Sequence, residues 1–87
     1  MAQVKIEIIY RGDKLQSVRK GRGLSQARLA EITGINERMI QYYEQGRKDL
    51  NAARLSTILK LCKALDCRMS DILNDPDTLE LLREYDE

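Results

Sequence analysis

The side chains that could do chemistry in this chain are few and unevenly placed. There is no His, so the commonest general acid–base group and the commonest metal ligand are missing. The two cysteines, Cys62 and Cys67, are too few for a disulfide framework or a four-cysteine zinc site. No nucleophile–base constellation is visible, so an enzyme is the least expected reading. What remains is charge. Residues 11–48 carry nine Lys/Arg and four Asp/Glu, a net of +5, while residues 66–87 carry two Arg and eight Asp/Glu, a net of −6. The overall charge of +1 hides this gradient. A basic half beside an acidic tail points to a polyanionic partner for the basic half. The bland reading is a pair of solvated faces that attract each other.

The elements that must position these charges are small. At 87 residues, with 43% hydrophobic and 33% charged side chains, one domain is expected, burying roughly 60% of its unfolded surface. No apolar run approaches the ~18 residues of a membrane span and no signal-peptide layout opens the chain. The cytoplasm is therefore the expected compartment, with no membrane partner.

Val4, Ile6 and Ile8 alternate with charged residues, which predicts a short strand over 4–10. Asp13 reads as the N-cap of a helix over 14–22, with Leu15, Val18 and Arg19 inward and Gly21 and Gly23 ending it. Ser25 caps a second helix, whose face is Leu29, Ala30 and Ile32, and Gly34 stops it. Asn36 opens a third and Gly46 closes it. There Ile40 and Tyr43 point inward, while Glu37, Arg38, Gln41 and Tyr42 lie on other faces. After a polar connection capped by Asp49 or Asn51, the 3–4 spacing of Ala52, Leu55, Ile58, Leu59, Cys62 and Leu65 predicts the clearest amphipathic helix. Asp66 ends it. A turn or two follows through Met69, Ile72 and Leu73. An Asp75 cap and Pro76 then introduce a terminal helix bearing Leu79, Leu82 and Tyr85.

The middle segment, 24–36, joins two helices by a tight turn. Ala30 is small where the helices cross, Gly34 supplies a left-handed turn conformation, and Ile35 and Ile40 lock the second helix on the first. That is the logic of a helix-turn-helix, whose second helix enters the DNA major groove. Leu24-Ser25-Gln26, Leu29-Ala30, Gly34-Ile35, Ile40 and Tyr43-Glu44-Gln45-Gly46 resemble the Xre/Cro family of phage-repressor-type DNA-binding domains. Leu59–Leu65 resembles the family's fourth helix and Ser70-Asp71-Ile72-Leu73 its fifth.

The resemblance covers residues 14–73. It leaves an N-terminal extension, 1–13, and an acidic tail, 74–87, that reads as helical. It implies an all-α, compact five-helix, lambda-repressor-like domain with its helix-turn-helix at 25–45. Such domains usually act as homodimers on a pseudo-palindromic double-stranded DNA operator, without a cofactor. By position, Gln26 and Asn36 would meet phosphates at helix N-termini. Glu37, Arg38, Gln41 and Tyr42 fall on the recognition helix. Of these, Arg38 would pair with guanine, Glu37 would accept from cytosine, and Tyr42 would touch a thymine methyl or a phosphate. Arg47 and Lys48 would follow the backbone. Arg19 and Glu44 match a partly buried ion pair between the first and third helices.

Three departures stand out. Arg28 replaces a frequent Glu, which suits a phosphate contact. Asp66 replaces a frequent Gly. The connection after Gly46 is about three residues longer than in the shortest members. The function expected is sequence-specific transcriptional regulation. The alternative is an antitoxin that binds its own promoter and, through the acidic tail, a toxin protein. A protein-interaction module without DNA binding is a third reading. The basic residues near Gln26, Arg28, Arg47 and Lys48 argue against it.

Overall fold

Short caps and left-handed turns divide residues 12–85, the part of the chain that the computed structural model describes, into helices. The first, α1, is Asp13–Gly21. Asp13 is not its cap. It is the first helical residue, placed where the helix dipole favours a carboxylate. The cap is Gly12, which is buried. A Cβ there would lie 1.8 Å from the Tyr43 carbonyl oxygen. The chain thus enters α1 by passing directly over the backbone at Tyr43 and Glu44, a close approach that only glycine permits.

The next two helices begin as their caps dictate. In α2, Gln26–Thr33, the Ser25 hydroxyl accepts the Arg28 N–H at 3.0 Å. In α3, Glu37–Gln45, the Asn36 side chain accepts the Arg38 N–H at 2.8 Å. Gly34 and Gly46 close them at φ 75° and 77°.

The longer connection after Gly46 holds a 3-10 turn, Leu50–Ala52, capped by Asp49. Asn51 does a different job. Its amide donates to Asn74, and its Oδ1 accepts the N–H groups of Asn74 and Asp75. This pins the start of the last helix to the connection.

The fourth helix, α4, is Leu55–Leu65 and does not include Ala52. Its inward stripe also differs from the expected one. Ile58, Leu61, Cys62 and Leu65 are buried, whereas Leu55 and Leu59 are 60% and 47% exposed. Ile32 on α2, expected inside, is also exposed. The neighbours decide this, since α4 packs against both α2 and the short helix Met69–Ile72. At its end Asp66 adopts φ 50°. Asp66 N–H bonds to Lys63 O and Cys67 N–H to Cys62 O, the paired bonds of a Schellman motif.

A short α5, Met69–Ile72, and α6, Pro76–Tyr85, complete the order. Asp75 caps α6 by accepting the Thr78 N–H and hydroxyl. Leu79 and Leu82 of α6 pack on the core, while Tyr85 is almost fully exposed.

The core runs from Leu15 through Leu29, Ile40 and Tyr43 to Leu61, Leu65 and Ile72. Two basic side chains seal it from outside. Lys14 donates to the Ser70 and Leu73 carbonyls at the end of α5, and Arg22 to the Leu65 and Asp66 carbonyls at the end of α4. Part of the positive charge in the first half therefore serves helix ends. The all-α expectation holds, and among the described residues there is no strand. The strand expected over 4–10 lies outside the described residues. Among those described, no helix is long and apolar enough to cross a membrane.

Candidate nucleic-acid interface

The interface is built outward from a buried polar clamp. Arg19 on α1 meets Glu44 on α3 through two parallel bonds, Nε to Oε2 at 2.7 Å and Nη2 to Oε1 at 2.9 Å. The two side chains are only 8% and 1% exposed. Arg19 Nη1 also donates to the Leu24 carbonyl at 2.8 Å. Hydrogen bonding to the Glu44 carboxylate raises the Arg19 pKa further above its ordinary value, against the effect of burial. Gln26, the first residue of α2, donates from Nε2 to Glu44 Oε1 at 3.0 Å. One carboxylate therefore ties together α1, the N-terminus of α2 and the C-terminal turn of α3. Gln26 keeps a second amide N–H and its carbonyl for other partners.

The turn between α2 and α3 has its own latch, which the sequence reading missed. The Thr33 hydroxyl donates to the Leu29 carbonyl at 2.7 Å and accepts the Ile35 N–H at 3.1 Å. The only local signal for it is a Thr placed before the turn glycine. Ile35 and Ala30 pack against the core cluster beside it.

With its inner face fixed by Ile40 and Tyr43, α3 turns a polar face outward. Asn36, Glu37 and Arg38 are exposed, and Gln41 and Tyr42 are half-buried. Gln41 donates to Glu37 at 3.3 Å. Gly46 then folds the chain back, so that the N–H groups of Arg47 and Lys48 bond to the Tyr42 carbonyl at 2.8 and 3.2 Å. The Arg47 guanidinium lies 5.7 Å from the Tyr42 ring centroid, within cation–π range. Tyr42, Arg47 and Lys48 thus form one unit at the end of α3. Arg28 stands apart. It pairs with Glu31 at 2.6 Å on the exposed side of α2, a surface contact that a stronger anion could replace.

The cysteines belong to the scaffold. Cys62 and Cys67 occupy the two positions of the Schellman motif that normally share an apolar contact. Burial pushes the Cys62 thiol up to about 12 and raises that of Cys67. Among the described residues, no three His, Cys, Asp or Glu side chains come together to hold a metal ion.

A clamped two-helix unit with a capped second helix, polar outward, defines a helix-turn-helix DNA-binding domain. The chain belongs to the Cro/C1-type HTH DNA-binding domain family, which it matches over residues 14–78. It is 33% identical over 66 residues to the HTH-type transcriptional regulator PuuR of Escherichia coli K12, a match covering 76% of this chain and 34% of PuuR. The chain thus spans about a third of the length of that relative. It is 35% identical over 68 residues to an uncharacterized HTH-type transcriptional regulator, YozG of Bacillus subtilis 168, covering 75% of this chain and 79% of YozG.

Among solved structures, it resembles the restriction-modification controller protein C.AhdI of Aeromonas hydrophila. Identity is 33% and the TM-score 0.61, over 69% of this chain and 86% of that one. The SinR–SinI complex shares the fold, with a TM-score of 0.64 at 22% identity over 84% of this chain and 75% of that one.

Proposed function

We propose that this chain is a sequence-specific transcriptional regulator that binds a pseudo-palindromic operator as a homodimer, with one α3 in each major-groove half-site. The observation that carries this reading is the outward face of α3, held on the Arg19–Glu44 clamp. Arg38 is exposed and would pair with guanine, while Glu37 would accept from a cytosine amino group. Gln41 and Tyr42 lie one turn further along the same helix and would contact bases or the adjoining backbone. Phosphates would be met by Gln26 and Asn36 at the two helix N-termini, and by Arg47 and Lys48 after Gly46. Arg28 would join them by exchanging Glu31 for a phosphate. A single module covers little DNA, so two are needed for useful affinity. The curated relatives are transcriptional regulators, which favours operator control over the antitoxin reading.

The test is selection of bound duplexes from a random library, followed by titration of the winner across salt. A two-fold site, with half-sites about one helical turn apart and affinity falling steeply with salt, is the expected outcome. No enriched sequence would overturn the reading. Lys48→Ala should weaken all sequences alike and lower the salt slope by about 1.

A further inference from the structure

Two helical faces of this molecule are apolar, exposed and opposite in charge. On α4, Leu55 and Leu59 stand one turn apart and open to solvent, flanked by exposed Lys60 and Lys63. They adjoin a groove between α2 and α4 lined by Ile32, Thr33 and Ala64 with the same two lysines. On α6, Leu81 and Tyr85 are likewise one turn apart and exposed, flanked by exposed Glu80 and Glu84. Residues i and i+4 are neighbours on a helix, so each face presents an apolar pair about 6 Å long beside a pair of like charges. Leu79 and Leu82, on the adjacent side of α6, pack against its own core. Leu81 and Tyr85, 56% and 89% exposed, stay outside that contact and remain open to a partner.

We propose that the α6 face of one copy docks on the α4 face and adjoining groove of a second copy. The partner is argued from charge. The acidic face and the basic face lie on the same chain, so every copy offers both halves of the contact. Two reciprocal contacts related by a two-fold axis close a dimer and double the area buried, which a single helix pair would leave small. The proposal deepens the dimeric reading above and rests on it.

Charge reversal tests it by sedimentation equilibrium of the full chain. Lys60→Glu with Lys63→Glu, and separately Glu80→Lys with Glu84→Lys, should each weaken self-association at least about tenfold, because like charges then face each other. Mixing the two reversed proteins should restore the dimer, since each supplies the charge the other lost. That recovery also shows that neither variant is merely misfolded. Leu81→Ser should weaken association without altering charge. A wild-type chain that stays monomeric, or a dimer that survives both reversals, overturns the proposal. A monomeric wild type that still selects a two-fold operator removes this contact alone. An intact charge-dependent dimer with no selected operator removes the DNA reading alone.

Discussion

Helices α3 and α4 obey one rule inside and opposite rules outside. Each buries an apolar stripe, Ile40 and Tyr43 in α3 and Ile58, Leu61, Cys62 and Leu65 in α4. Each ends in a left-handed residue, Gly46 or Asp66. Outward, α3 offers a carboxylate, a guanidinium and an amide in its first two turns, whereas α4 offers Leu55 and Leu59 beside two lysines. Burial cannot tell the two apart. The solvent side does, because a helix that reads base edges needs directional donors and acceptors. A helix that meets another protein face needs apolar area. The two also differ in how they are held. A buried ion pair fixes α3, while a guanidinium on carbonyls fixes the end of α4.

The largest expected effect comes from the clamp under α3. Glu44→Ala leaves Arg19 buried without its carboxylate and frees the Gln26 amide, so unfolding free energy should fall by about 3–5 kcal/mol. Chemical denaturation measures it. Replacing both partners, Arg19→Met with Glu44→Leu, should recover most of that loss, because well-packed apolar side chains often match a buried pair. If the double variant regains stability but loses sequence preference, the clamp serves orientation more than folding. A Glu44→Ala protein as stable as wild type would remove the clamp from the account.

The second test separates the outer faces. Arg38→Ala should cost about 1–3 kcal/mol at one base pair of the operator and relax the choice there, with no change in folding stability. Leu59→Ser should leave the preferred sequence unchanged. An unchanged preference at every position in Arg38→Ala would take Arg38 off the reading face.

What could be read in advance followed the range of the interaction. Ser25, Gly34, Asn36 and Gly46 act on backbone within a few residues, and each falls where its type predicts. The Arg19–Glu44 ion pair came from the order of weak motifs in the family resemblance, which is also the source of the reading face proposed for α3. Contacts that depend on distant neighbours were not legible. Asp13 reads as the cap of α1 in place of Gly12, because nothing local reports the Tyr43 carbonyl that Gly12 passes. In α4, leucines and other apolar residues at 55, 58, 59, 61, 62 and 65 support more than one stripe. The packing of α2 and α5 selects the one containing Leu61. Asn51 reads as one of two candidate caps, but Asp49 is the cap, and the Asn51 amide reaches Asn74 and Asp75, more than twenty residues away.

The two left-handed caps allow a smaller comparison. Gly46→Ala should destabilise by about 1–2 kcal/mol, since a Cβ resists that conformation. Asp66→Gly should stabilise by roughly 0.5–1 kcal/mol for the same reason in reverse, less the entropy that glycine adds to the unfolded chain. Thermal unfolding of the two variants should shift in opposite directions. A loss of stability in Asp66→Gly would mean that the Asp66 side chain contributes beyond its backbone, for instance to Arg22.

The smallest effect concerns the helix caps, where α3 can be set against α6. Asn36 caps α3 with a neutral amide, and Asp75 caps α6 with a carboxylate. Hydrogen bonds from the Thr78 hydroxyl and N–H lower the Asp75 pKa below its ordinary 3.8. A carboxylate depressed in the folded state stabilises above its unfolded pKa. That contribution fades as pH falls through the unfolded value and then the folded one. Acidification below about pH 4 should therefore loosen the first turn of α6 while the first turn of α3 keeps its cap. Amide hydrogen exchange reads both sites in one sample, at the Thr78 N–H and the Arg38 N–H. Protection at Thr78 should drop relative to Arg38 as pH falls, and Asp75→Asn should abolish that relative change while keeping a capping oxygen. Equal loss at both amides would mean that acid unfolds the domain as a whole before the cap titrates. The core joining α3 to α6 would then set the acid limit.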